Sequence, residues 1–206
     1  LRIQQFLEAR IGGMHRRATM IKARRAEVTK PIRSDAGRPS ETLTIDTRDF
    51  SDSSDERQKL RSKGIVKAME MIGYDSVGLG QNELGFTQQE LHELLSEGQL
   101  LYLAANVKFI KPDEGEDFSS QLSGQVKPYR VLPLKGGYKI GIIHVLDNSG
   151  IIRGEPIKSG YEVTDPEEAI GQILNDHGKE APFWILSVGT NEQFGLRNQR
   201  MQDFDE

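Results

Sequence analysis

Cysteine is absent from all 206 residues. Disulfides, thiolate nucleophiles, zinc–thiolate centres and thiol-linked haem are therefore excluded within this chain, and its chemistry is indifferent to the redox state of its compartment. Histidine is scarce, with four residues (His15, His92, His144 and His177), so little imidazole exists for metal ligation or proton transfer. Excess positive charge is missing too: 27 basic residues face 31 acidic ones, for a net charge of −4. The basic residues are not interleaved with aromatics, so nucleic acid is not an expected partner. No apolar run approaches the length that crosses a bilayer. No positively charged segment followed by an apolar core marks a secretory signal. No internal repeat is present.

What remains is a chain long enough for one sizeable core, and a single domain over residues 1–206 is expected. Its organising stretch runs from Gly64 to Val107. Ile65, Met69 and Ile72 recur at helical spacing, so one face of a first helix packs inward. Asp75–Leu79 reads as a short strand that stops at Gly80, with Gln81-Asn82-Glu83 at its carboxyl end, where open α/β sheets place ligands and chemistry. A second helix and a second strand ending in AANV (Ala104–Val107) follow.

Upstream, Gly12-Gly13 opens a basic helix, MHRRATMIKARRAEV, with Met14, Ala18, Ile21 and Arg25 along one line. Its run of Arg16, Arg17, Lys22, Arg24 and Arg25 reads either as an anion site or as a solvated outer face. Residues 29–41 read as loop, and Thr42–Ile45 as a β-branched strand running into Asp46-Thr47-Arg48-Asp49-Phe50. Residues 51–62 are polar and read as a surface loop. After Val107 a loop is expected to residue 125. Tyr129–Leu134 and Tyr138–Leu146 flank Lys135-Gly136-Gly137 and read as a hairpin. His144 lies in the apolar second arm and reads as a buried, hydrogen-bonded histidine. A further connection, residues 148–162, leads to a helix start at Thr164-Asp165-Pro166, where Thr164 or Asp165 caps, Pro166 suits the first turn and Glu167 and Glu168 favour the positive end. Ala169, Ile170, Ile173 and Leu174 form its buried stripe. Phe183–Val188 is an unbroken apolar strand, which suggests a central place in its sheet. Residues 189–206 are polar and without pattern.

Several of these phrases together resemble the calcineurin-like metallophosphoesterases, most closely their 5′-nucleotidase branch. GGMHRRATMIK (Gly12–Lys22) resembles that branch's GGLARRATLIK-like helix, and IDTRD (Ile45–Asp49) its LDAGD. GYDSVGLGQNELGF (Gly73–Phe86) resembles GYDAV leading to GNHEFD, and AANV its SANV. GGYKIGIIHVLD (Gly136–Asp147) and the helix–strand pair ending in ILSV (Ile185–Val188) match GVKVGIIGL and VLSH text. The resemblance covers about residues 12–188. It implies an α/β fold, a four-layer αββα sandwich of two mixed sheets flanked by helices, with truncation of that sandwich as an expectation.

It also implies where a dinuclear metal site would be. Asp49 takes the position of the bridging aspartate and Asp46 that of the earlier one. Gln81 stands at the metal-ligand Asn, Asn82 at the catalytic His, Glu83 at the following acid, and Val188 at a late ligand His. No Asp-x-His precedes Gly12, and no histidine follows His177. Arg48 replaces a glycine and can neutralise the Asp49 carboxylate in place of a metal. Ser187 has no Gly-x-Ser-x-Gly context, and Gly78-Leu79-Gly80 lacks phosphate-loop or dinucleotide spacing. The expectation is a pseudoenzyme with no cofactor and no metal, acting as a structural or binding subunit with protein partners in a larger complex. The alternative is a metal-dependent phosphoesterase with a reduced site holding Mn or Zn. The branch implies an exported, periplasmic or cell-envelope location.

Overall fold

The computed structural model describes residues 13–28, 41–47, 49–53, 55–147 and 158–189. The chain divides into two compact units, 1–42 and 43–206. In the first, helix α1 (Met14–Val28) forms as the sequence indicates and buries no residue. Gly12 and Arg48 lie outside the described residues, as do the stretches 29–40 and 190–206.

The described residues of the second unit form two larger sheets and one two-stranded ribbon. Strands β1 (Ile45–Asp46), β2 (Ser76–Gly78), β3 (Tyr102–Leu103) and β5 (Val126–Lys127) form a parallel sheet in the order β1-β2-β3-β5. Strands β6 (Tyr129–Pro133), β7 (Lys139–Leu146) and β9 (Phe183–Gly189) form a mixed sheet, with β6 antiparallel and β9 parallel to β7. A small antiparallel ribbon pairs β4 (Val107–Phe109) with β8 (Tyr161–Val163).

Side-chain alternation sets the layers. On β2, Gly78 faces β7, because a Cβ there would collide with the His144 ring. Val77 and its register partner Tyr102 point the other way, toward helix α2 (Glu56–Ile72), whose Glu70 acts on the Tyr102 phenol. On β7, Ile142 and His144 face the parallel sheet, while Ile143 and Val145 pack with Ile173 of helix α5 (Pro166–His177). The order is helix, sheet, sheet, helix: the αββα layering expected from the sequence. β7 is buried along Gly141–Leu146, which explains why it reads as an almost unbroken apolar run.

Local signals account for the helices. Asp55 caps α2, accepting from the Gln58 amide, and Gly73 ends it in the left-handed region at φ 81°. Thr87 and Glu90 form a reciprocal capping box at helix α3 (Gln88–Leu95). Asp165 caps α5, with Pro166 in its first turn.

Four expectations are corrected. Residues 51–62 are not all loop, since α2 starts at Glu56, and Ser62 is buried within it, donating to the Gln58 carbonyl. The expected loop 108–125 contains most of β4 and all of helix α4 (Ser119–Gln125). Leu174 is exposed, because α5 rests on the sheet through Ile173. Among the described strands Phe183–Val188 ends the sheet order and is not its centre; β7 takes the centre, and apolar character alone could not tell the two apart.

Candidate functional site

The carboxyl ends of β1 and β2 meet in a hydrogen-bonded knot built from Asp49, Ser51, Gly80, Asn82 and Glu83. Glu83 is fully buried in a 3-10 turn (Glu83–Gly85). Its Oε1 accepts from the Ser51 amide at 2.9 Å and from the Ser51 hydroxyl at 2.5 Å. Its Oε2 accepts from the Gly80 amide at 2.6 Å. Burial pushes the Glu83 carboxyl up to about 7; the Ser51 hydroxyl bond opposes this, Asp49 adds to it, and the two backbone amides oppose it.

Around that acid the backbone is tightly drawn. Asp49 sits at φ 45°, a left-handed conformation that a non-glycine residue adopts only when its surroundings hold it there. The holder is the neighbouring turn: the Asn82 amide donates to Asp49 Oδ1 at 3.0 Å, and Asn82 Nδ2 donates to the Ser51 carbonyl at 3.0 Å. Gly80 is glycine because a Cβ there would run into the Asp49 carboxylate and amide nitrogen. Gln81 lies in the same turn, its carbonyl accepting from the Leu84 amide at 3.1 Å.

One step deeper, His144 joins this turn to the mixed sheet. Its Nε2 bonds the Leu79 carbonyl at 2.7 Å, so Nε2 carries the proton, and its Nδ1 bonds the Ser187 hydroxyl at 2.9 Å. Burial holds the imidazole below its ordinary range, while the Leu79 bond and Asp49 work against that. The expectation of a buried, hydrogen-bonded histidine holds.

Asp49, Asn82 and Glu83 are thus brought together, and Asp46, paired in register with Val77 on β1, ends the strand before them. Val188 is an exposed residue of β9, in register with Val145. Sequence reasoning missed Ser51, which has no motif around it, and the part Gly80 plays. It also missed Asn106, whose Nδ2 donates to the Leu146 and Thr164 carbonyls and whose Oδ1 accepts from the Leu146 amide at 2.8 Å. The AANV phrase is therefore a side-chain junction of β3, β7 and the approach to α5, and only its last residue is strand.

A metal pair needs several carboxylate and imidazole donors converging on it. Among the described residues no group of three or more His, Asp or Glu converges in that way. Both Glu83 oxygens hold backbone and hydroxyl donors, both His144 nitrogens are engaged, His92 Nδ1 bonds Gln125, and His177 Nδ1 bonds Glu180. The donors described do not fit a dinuclear centre, and what they do is fix the backbone of two strand ends.

No family model matches the chain. A 5′-nucleotidase from the venom of the snake Gloydius brevicauda is 29% identical over 133 residues, covering 64% of this chain and 20% of that protein. The NAD nucleotidase of Haemophilus influenzae superposes with a TM-score of 0.66 at 20% identity, covering 91% of this chain and 30% of that one. A calcineurin-like phosphoesterase of Bacillus subtilis, YfkN, superposes with a TM-score of 0.58 at 20% identity, covering 85% of this chain and 53% of that one. The chain spans between a fifth and about half of the length of these relatives.

Proposed function

From the metallophosphoesterase fold that this chain shares with 5′-nucleotidase-like structures, we infer a non-catalytic domain that serves as a binding or structural module of a larger assembly. One observation carries the inference: at the strand ends where chemistry is expected, Asp49, Asn82 and Glu83 are engaged in holding backbone. Glu83 takes three intramolecular donors, and Asn82 donates twice within the knot. By the sequence resemblance Gln81 and Asn82 take the positions of an Asn ligand and a catalytic His, and neither amide supplies a general acid. The role implies protein partners and no resident cofactor. An exported or cell-envelope location accords with this, and no described helix is long and apolar enough to cross a membrane.

A second reading is a phosphoesterase of 5′-nucleotidase type with a reduced Mn or Zn site centred on Asp49. The nucleotidase names of the sequence relative and of a structural neighbour favour it.

The two are separated by metal analysis of the purified chain, together with phosphate release from an aryl phosphate in the presence of manganese. The non-catalytic reading expects less than one equivalent of bound transition metal and no turnover above buffer. Bound metal with turnover that disappears in Asp49→Ala would establish the enzyme instead.

A further inference from the structure

The turn that carries Glu83 is held twice over. Its first half belongs to the knot, through Gly80, Asn82 and Glu83 itself. Its second half is gripped at alternate residues by a segment 72 to 75 residues further along the chain. The Lys158 amide donates to the Leu84 carbonyl at 3.0 Å, and the Tyr161 hydroxyl donates to the Phe86 carbonyl at 3.0 Å. Gln88 Nε2 completes the set, donating to the Gly160 carbonyl at 2.8 Å.

Gln88 is the first residue of α3 and is buried, and its amide works in three directions. Besides Gly160, Nε2 donates to the Ile110 carbonyl at 2.8 Å, while Oε1 accepts from the Phe118 amide at 3.0 Å. Two carbonyls face the nitrogen and one N–H faces the oxygen, so the group has a single orientation. Turned over, it would set oxygen against oxygen and N–H against N–H. Gly160 is fitted to it: its φ is 97°, and a Cβ there would lie 2.8 Å from Gln88 Nε2. The two halves of the turn are themselves joined. Leu84, Gly85 and Phe86 donate their amides to the carbonyls of Gln81, Asn82 and Glu83, so a displacement of one half carries the other.

We propose that Lys158–Tyr161 is a clamp on the Asp49–Asn82–Glu83 knot, with Gln88 and Tyr161 as positioning residues that act on it through the Glu83–Phe86 turn. The strand-end geometry is then governed by a segment remote in sequence, and no part of that control requires the Asp49 site to be catalytic. Releasing Gln88 leaves the Phe118 amide and the Ile110 carbonyl without this partner, and the turn loses its hold on Gly160.

The test is native-state hydrogen exchange on the full chain. It is read at the Ser51, Gly80 and Asn82 amides, which the acids of the knot hold, with the ladder amides of β7 as an internal reference. Gln88→Ala should speed exchange in the knot about tenfold or more relative to β7. Tyr161→Phe, which keeps the ring and removes one hydroxyl, should move the ratio in the same direction by less. Side chains that only stabilised the fold as a whole would speed both sets alike. Gln125→Ala breaks the bonds to His92 and Ser96 toward the other end of α3, and should leave the ratio unchanged. A knot-to-β7 ratio unmoved in either clamp variant overturns the proposal, and so does an equal change in Gln125→Ala. Should Gln88→Ala fail to fold, Tyr161→Phe decides alone.

Discussion

Replacing Glu83 by glutamine keeps the side chain's shape and removes its titration, which isolates the cost of holding a carboxylate inside the knot. The folded carboxyl titrates at about 7, against 4.5 for the ordinary group. A difference of roughly 2.5 units at 1.36 kcal/mol each amounts to about 3 kcal/mol. Between those two pH values the folded chain keeps a proton on Glu83 that the unfolded chain has released. Stability therefore falls as pH rises; the contribution is full below 4.5 and gone above 7. Glutamine has no such slope. Its amide nitrogen only donates, whereas a protonated carboxyl oxygen still accepts, so glutamine gives up one bond from Ser51 or Gly80; that offset is the same at every pH and leaves the slope of the difference to Glu83. Urea unfolding of both across this range gives the difference directly. Wild type should lose about 3 kcal/mol relative to Glu83→Gln on going from below 4.5 to above 7. His144 works in the opposite sense: its pKa is lowered by burial, so its contribution is present above the ordinary histidine range and lost as pH falls. Both proteins carry it, and it cancels from the difference. A difference that stays flat or rises with pH would refute the argument, because the carboxyl would then be ionised as readily inside as outside.

Two further substitutions test the geometry around the knot. Gly80→Ala drives a methyl into the Asp49 carboxylate and backbone nitrogen, atoms that cannot swing away, and should cost about 1–3 kcal/mol in chemical unfolding; unchanged stability would mean that the two turns do not approach so closely. Asn106→Leu removes three hydrogen bonds and leaves the Leu146 amide and carbonyl buried without that partner. It should cost about 3 kcal/mol or more by thermal or urea unfolding. Asn106→Asp should not rescue it at neutral pH, since a carboxylate would face the Leu146 and Thr164 carbonyls where Nδ2 now donates.

Much of the architecture was legible because the cues were local. Thr87 with Glu90, Asp165 with Pro166, and Gly136-Gly137 between two apolar runs each act within a few residues, and each marks the element that the structure contains. Misreadings arose where the deciding partner was distant in sequence. The β4 strand exists because Val107–Phe109 finds Tyr161–Val163 across the fold. The apolar run of β9 looks central until its sheet order is known, and Leu174 belongs to a helical stripe that the sheet reaches only as far as Ile173. The site divides in the same way. Asp49, Gln81, Asn82 and Glu83 were marked by their places in recognisable phrases, whereas Ser51 and the His144 link to Leu79 had no sequence signal.

The residues alone determined which segments become helices and strands near their caps and turns, the layered α/β class, and the poverty of imidazole where metal ligands would be expected. Those follow from short-range backbone preference and from side-chain inventory, neither of which needs a partner. Tertiary structure alone decided that Glu83 is sealed beneath Ser51 and Gly80, that Asp49 is held in a left-handed conformation, and that His144 joins the Leu79 carbonyl to Ser187. Each of these depends on groups dozens of residues apart arriving within hydrogen-bond or van der Waals reach, and only the packed chain brings them there.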